Sequence, residues 1–200
     1  AHLVDNILYV SEAERGIIPI NPRAVDVAEI IQEAAKRAAP AFVEHRLTFE
    51  VQIEPDLPPM DVDPPRLRQV LDNLLQNAWK YTPAGGRVWV TARRCAAHDV
   101  PAERAIRNGR EYVLIAVRDT GVGIRPEDQE RIFERFYRSP NPLSVEAGGT
   151  GIGLTIVKSL VEAHGGRVWV DSAENVGSTF SVLLPAQRSQ NGLVYQSRAA

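Results

Sequence analysis

Apolar residues recur along this chain with two periods, and the places where one period gives way to the other mark its elements. Leu3, Ile7 and Val10, with charged residues between them, read as the end of a two-stranded or bundle helix that stops near Gly16. A linker with proline breaks follows from Ile17 to Pro22, then an amphipathic helix from Val25 to Ala39. Thr48 to Ile53 alternates as a strand does and leads into the proline-rich turn Pro55 to Pro59. Asp63-Pro64-Pro65 predicts a helix start, with an acceptor at the cap and proline where its missing N–H does no harm. In the helix so opened, Val70, Leu71, Leu74, Leu75 and Ala78 form one stripe, Asn73, Asn77 and Lys80 lie opposite, and Tyr81 sits at the edge. Asparagine is a mediocre helix former, so a pair of them one turn apart calls for a reason.

Arg87 to Arg94 and Tyr112 to Arg118 read as strands joined by the polar stretch Ala96 to Arg110, longer than most hairpin connections. A short helical segment is predicted within residues 127–138, and a loop rich in Pro, Ser and Gly over 139–150. A helix from Gly151 to His164 ends at Gly165-Gly166, and a closing hairpin runs Arg167 to Asp171 and Ser178 to Leu184. Helices and strands alternate irregularly. That favours an α+β fold, a mixed sheet covered on one face by helices, over a doubly wound parallel sheet.

The length of 200 residues allows one or two domains with a real core. A net charge of −2 argues against a general nucleic-acid surface. The lone Cys95 excludes an internal disulfide framework or a cysteine-rich metal cluster and fits a reducing compartment. No apolar run approaches the roughly 20 residues that span a bilayer, and no signal-peptide pattern is present, so the expected location is cytoplasmic, without membrane contact by this chain. The chain begins with Ala1 and opens in mid-pattern, as expected of a piece of a longer protein, in which anchors and sensors could lie outside this chain. The expected division is the end of a helix and a linker over 1–22, one domain over 23–186, and a tail outside the fold over 187–200.

Three glycine-bearing motifs carry candidate chemistry. Asp119-Thr120-Gly121-Val122-Gly123-Ile124 follows the strand Val113 to Val117, and a carboxylate leaving a buried strand ahead of two glycines suits a hydrogen-bond donor such as the exocyclic amine of a purine. Gly148-Gly149-Thr150-Gly151-Ile152-Gly153-Leu154 opens a helix, where backbone N–H groups and the helix field favour an anion. It lacks the lysine-serine ending of a Walker loop and does not sit in a dinucleotide-binding unit. Gly177-Ser178-Thr179-Phe180 marks a turn entering the last strand and signals little alone. In Ile132-Phe133-Glu134-Arg135-Phe136-Tyr137-Arg138 the aromatics are expected to pack on the core, and an arginine beside a loop could reach a phosphate.

Together and in this order these segments resemble the catalytic ATP-binding domain of sensor histidine kinases, within the larger group that holds gyrase-type, chaperone and mismatch-repair ATPases. The resemblance runs from about Val25 to Pro185, with the N box at Asn73 to Thr82, the glycine boxes at Asp119 to Gly123, Gly148 to Gly153 and Gly177 to Thr179, and the F box at Phe133 to Phe136. It implies a two-layer α/β sandwich with a mixed, mostly antiparallel sheet, the Bergerat-type ATP-binding fold. It implies ATP and Mg²⁺ as ligands, with Asn77 coordinating the metal, Asn73 supporting metal or phosphates, Lys80 offsetting phosphate charge, and Tyr81 packing near the nucleotide. Asp119 would fix the adenine, with Gly121, Gly123 and Ile124 beside it. Gly149, Thr150, Gly151, Gly153 and Leu154 would wrap the phosphates beneath a lid over Ser139 to Ala147, and Phe136 and Thr179 would complete the surround. Either Arg135 or Arg138 would meet the γ-phosphate.

Position 73 separates the reactions that the resemblance covers. The ATPase branches place there a glutamate that activates water, and the serine-kinase branch also has an acid; an amide at Asn73 cannot take such a proton. A histidine acceptor is nucleophilic near neutrality and needs little activation, which leaves positioning and charge neutralisation as the enzyme's task. The implied function is transfer of the γ-phosphoryl group of Mg-ATP to a histidine on a helical dimerisation domain, with the receiver domain of a response regulator downstream. Nothing in Ala1 to Gly16 resembles the box that carries such a histidine. His2, His45, His98 and His164 lie outside any such context, and His164, at a helix C-terminus before two glycines, is expected to be a surface or dipole-interacting histidine. With the dimerising hairpin mostly absent the chain is expected to be a monomer. A nucleotide-sensing module without transfer, or a self-contained ATPase or serine kinase, are the alternative readings.

Overall fold

In a computed structural model, the structure describes residues 19–96, 99–100, 104, 106, 111–139 and 150–186. The helix expected over Leu3 to Val10, the tail over 187–200, the segment 140–147, and Gly148 and Gly149 lie outside them.

β1 (Arg23–Val25) enters the domain and pairs antiparallel with β3 (Met60–Val62) in a small sheet of its own. α1 (Val27–Glu44) begins at Asp26, whose side chain accepts from the Ala28 N–H at 2.8 Å. The expected helix end before Pro40 is corrected: α1 runs through this exposed proline to Glu44. One lost backbone bond there is offset by Phe42, which is fully buried and stacks on Phe49 with ring centroids 4.1 Å apart. β2 (Thr48–Ile53) follows, then β3 and α2 (Pro64–Tyr81), whose cap is Asp63 as the sequence predicted.

β4 (Arg87–Cys95), β5 (Tyr112–Asp119), β6 (Arg167–Ala173) and β7 (Gly177–Pro185) join β2 in a sheet of order β2-β4-β5-β7-β6, in which β2 runs parallel to β4 and the other pairs are antiparallel. α3 (Gly153–Ala163) lies beside α2. The helical segment expected in 127–138 is two short 3₁₀ turns, Pro126–Asp128 and Arg131–Phe133. The apolar stripes of the three described helices and one face of the sheet form one core, including Ile31, Leu71, Leu74, Ile115, Ile156 and Leu160. This is the expected α+β sandwich, with a mixed sheet under a helical layer. On the other face a small cluster of Cys95, Val100, Tyr112 and Leu183 packs beneath Ile106 and Trp169.

The layering leaves the polar side of α2 half-buried at Asn73, Asn77, Lys80 and Tyr81, between the exit of β5 and the start of α3.

Candidate functional site

Asp119 ends β5 and is 6 % exposed. Its Oδ1 accepts from the Gly121 N–H at 2.8 Å and from the Ser178 N–H at 3.3 Å, while Oδ2 accepts no bond among the described residues. Burial raises its pKa from 3.8 to about 6, against the two backbone donors, which act to lower it. A carboxylate with one oxygen held and the other open suits a single directed donor.

The glycines at this turn let main chain meet main chain. A β-carbon at Gly121 would stand 2.3 Å from the Tyr81 carbonyl oxygen, and the Val122 N–H donates to that oxygen at 3.1 Å, so the turn is bound to the last residue of α2. Ile124 donates its N–H to Ser172 Oγ at 2.8 Å, and Gln129 donates to the Ile124 and Ser172 carbonyls. Ser172 Oγ donates to the Gly177 carbonyl at 2.9 Å and lies 3.0 Å from Ser178 Oγ. Sequence reasoning missed Ser172 and Gln129, because a hydroxyl or amide that braces a loop from another strand has no local pattern.

α3 begins at Gly153 after Ile152, which offers no side-chain cap, so no cap side chain among the described residues takes its first-turn N–H groups, the kind of donors that suit an anion. Asn73 Oδ1 lies 3.2 Å from where a β-carbon at Gly153 would stand, which brings the polar face of α2 against that helix end. Thr150 is exposed, Leu154 packs against the core, and Thr179 sits half-buried in β7 opposite Arg118. The Lys80 ammonium stands 5.8 Å from the Trp79 ring centroid. Burial pushes the Tyr81 phenol up from 10.0, and the positive charge of Arg138 acts to pull it back.

The F-box segment is held by a carboxylate not singled out from sequence. Asp128 is 1 % exposed and accepts from Arg125 Nε at 3.0 Å and Nη2 at 3.2 Å, from the Tyr137 hydroxyl and from the Ser139 hydroxyl. Burial acts to raise its pKa, but the bonds from Ser139, Tyr137 and Arg125 outweigh it and hold the carboxyl below its ordinary value. Asp128→Asn is expected to lower the Tm. The contribution of the native carboxylate stays intact above the ordinary carboxylate range and is lost as pH falls through its depressed pKa, which thermal melts of both proteins between pH 3 and 7 would read. A variant as stable as the parent across that range would refute the anchor.

Phe133 and Tyr137 pack on the core as expected of anchors, but the Phe136 ring is 65 % exposed. Its backbone adopts φ 62, and its N–H donates to the Gly151 carbonyl at 3.1 Å, which joins the F-box segment to the loop that opens α3. Among the described residues no group of three His, Cys, Asp or Glu side chains could hold a metal, and no helix is long and apolar enough to cross a membrane.

The family model of histidine kinase-, DNA gyrase B- and HSP90-like ATPases matches residues 62–188. The chain belongs to that family. It is 40% identical over 131 residues to the sensor histidine kinase WalK of Bacillus subtilis, a match covering 66% of this chain and 20% of that protein. It is 33% identical over 186 residues to the adaptive-response sensory kinase SasA of Microcystis aeruginosa, covering 93% and 44%. These relatives place this ATPase-family domain with the histidine kinases, and the chain spans less than half the length of either. Among solved structures, full-length ShkA in complex with AMPPNP superposes with a TM-score of 0.74 at 29% identity, covering 92% of this chain and 35% of that one. The mycobacterial sensor histidine kinase MprB gives 0.63 at 29%, covering 84% and 99%.

Proposed function

We propose that this domain binds Mg-ATP and donates its γ-phosphoryl group to a histidine on a helical dimerisation domain outside this chain, as one step of two-component signalling on the cytoplasmic side, where ATP is supplied. The observation that carries the reading is the buried Asp119, whose Oδ2 accepts no bond among the described residues, together with a start of α3 that Ile152 does not cap. Asp119 accepts from the adenine amine. The N–H groups that open α3 receive phosphate oxygens, with Gly151 and Gly153 leaving room for them.

The donor set fits Mg²⁺. This ion takes about six oxygen ligands, keeps several waters and is commonly shared with substrate phosphates, so one amide oxygen from Asn77 suffices without a carboxylate cluster, and the described residues hold none. Bound there, it would neutralise charge on the phosphates. Asn73 lies against Gly153 and supports the phosphates, and Lys80 offsets their charge. Either Arg135 or Arg138 meets the γ-phosphate. Asn73 supplies no base for water, so the phosphoryl group is kept for an acceptor that needs none.

Calorimetric titration of AMPPNP into the chain, with and without Mg²⁺, tests the reading. Saturable binding is expected, tightened by the metal. In Asn77→Asp the added charge should shift that metal dependence by roughly tenfold. Absence of binding by the unaltered chain would remove the proposal. Binding without transfer to a supplied histidine-bearing domain would leave a nucleotide-sensing module in its place.

A further inference from the structure

The start of α2 is capped from far away. Asp63 Oδ1 accepts from the Arg66 N–H at 3.2 Å, as an N-cap should. In a capping box the residue at that third position is Glu or Gln, which reaches back to the N–H of the cap residue; Arg66 has no acceptor to offer. The Asp63 N–H goes instead to His164 Nε2 at 2.9 Å, 101 positions along the chain. The other ring nitrogen, Nδ1, lies 2.7 Å from the Leu160 carbonyl oxygen, which can only accept. The imidazole therefore carries its proton on Nδ1 and its lone pair on Nε2. His164 is thus half-buried and bonded across the fold, so it is not a surface histidine, while its Nδ1 contact agrees with the expected interaction with the helix end.

Asp63 Oδ2 accepts from the Asn21 N–H at 2.8 Å. Asn21 stands just before β1, where Arg23 pairs with Val62. One carboxylate and one imidazole thus join three things: the end of α3, the start of α2, and the segment by which the chain enters the domain. The end of α3 is itself fixed, since a β-carbon at Gly166 would stand 2.5 Å from the Leu183 carbonyl oxygen of β7. Its opposite end is the uncapped N-terminus beside Asn73.

We propose that His164 is a positioning residue that registers the nucleotide-holding end of α3 to the entry segment 19–25, so that nucleotide binding tightens that segment. The inference rests on the proposed nucleotide site. A packed helix moves as a rigid body, so what phosphates do at its first turn is felt at its last. There the imidazole passes it to Asp63, and Asp63 to Asn21. By linkage, holding the entry segment also favours nucleotide by the same factor. A histidine-bearing domain upstream would then be presented in a fixed direction when ATP is bound.

Hydrogen exchange of peptides spanning 19–25 and 60–63, with and without AMPPNP and Mg²⁺, tests this. Nucleotide should slow exchange at 19–25 roughly tenfold in the unaltered chain. In His164→Ala the slowing should shrink to less than about twofold while the first turn of α3 stays protected. His164→Gln, which keeps an acceptor, should recover part of the response. Asn21→Pro, which deletes the donor outside the core, should lose it independently of any fault in folding.

A full nucleotide response in His164→Ala and Asn21→Pro, with only a lowered Tm, would make the histidine structural and overturn the inference. No response in the unaltered chain would overturn it too. A parallel titration that saturates then shows that only the coupling has failed, and one that gives no signal takes the nucleotide site with it.

Discussion

Asp119→Asn is expected to weaken AMPPNP binding roughly 100-fold at neutral pH, equivalent to about 2.7 kcal/mol. Both backbone donors to this side chain, Gly121 N–H and Ser178 N–H, end on Oδ1. An asparagine here turns its oxygen to those donors and its NH₂ to the open position, so a donor faces the adenine amine. The pKa of about 6 adds a second signature. Only the ionised carboxylate accepts fully, so affinity should fall as pH drops through about 6, and the Asn variant should lack that step.

Stability of the nucleotide-free domain should move the other way. A carboxyl raised from 3.8 to about 6 binds more protons folded than unfolded in that window. Its protonated form favours the fold below the unfolded value, and that advantage is lost as pH rises through about 6, by roughly 3 kcal/mol in all. Calorimetry at pH 5.5 and 7.5 with urea unfolding at the same values would measure both trends. Variant binding within about threefold of the parent at pH 7.5, a difference below roughly 1 kcal/mol, would sink the assignment.

Gly123→Ala is expected to cost about 3 kcal/mol or more of folding stability and to abolish nucleotide binding where the protein remains folded. Gly123 has φ +67, and a β-carbon there would stand 1.9 Å from the Ala173 carbonyl oxygen and 2.6 Å from its carbon. Those atoms belong to the end of β6 and cannot swing away as a side-chain tip can. The same turn is tied to the β6–β7 hairpin by the Asn175 N–H donating to the Val122 carbonyl at 2.7 Å. Relief of the clash must therefore open the turn that carries Asp119 or displace the hairpin.

Gly165→Ala separates strain from collision. Its φ of +70 is nearly the same, but a β-carbon there meets nothing within 4 Å, so only the left-handed backbone is disfavoured, by about 1–2 kcal/mol. Equal losses in the two variants, read by urea unfolding, would refute the argument from close approach.

Much of this was legible before any coordinates. The stripe Val70 to Ala78 and the cap at Asp63 rest on local chemistry, and α2 begins and turns its faces as they dictate. The alternation in β2 likewise named a strand, because side chains on a half-buried sheet repeat every second residue. What failed was short or long-range. β1 and β3 have three residues each, too few for a period to show, and β1 took the place of an expected helix start. Pro40 reads as a stop, yet α1 passes it because Phe42 finds Phe49 on a strand the helix cannot foresee.

The site divides along the same line. Asn73, Asn77, Asp119 and the glycines stand out in the sequence because their types are unsuited to ordinary helix, strand exit and turn unless something polar is held there. Residue types and their order therefore determined by themselves the longer elements and the family resemblance, and they marked the residues proposed to hold a nucleotide. Only the tertiary structure decided that Asp119 keeps one oxygen open, that Asp128 gathers Arg125, Tyr137 and Ser139, that Phe136 faces out, and that His164 caps a helix 101 positions away. The reason is physical: a period or a cap is written in neighbouring residues, whereas burial and the partner of a polar atom depend on what distant segments bring to it.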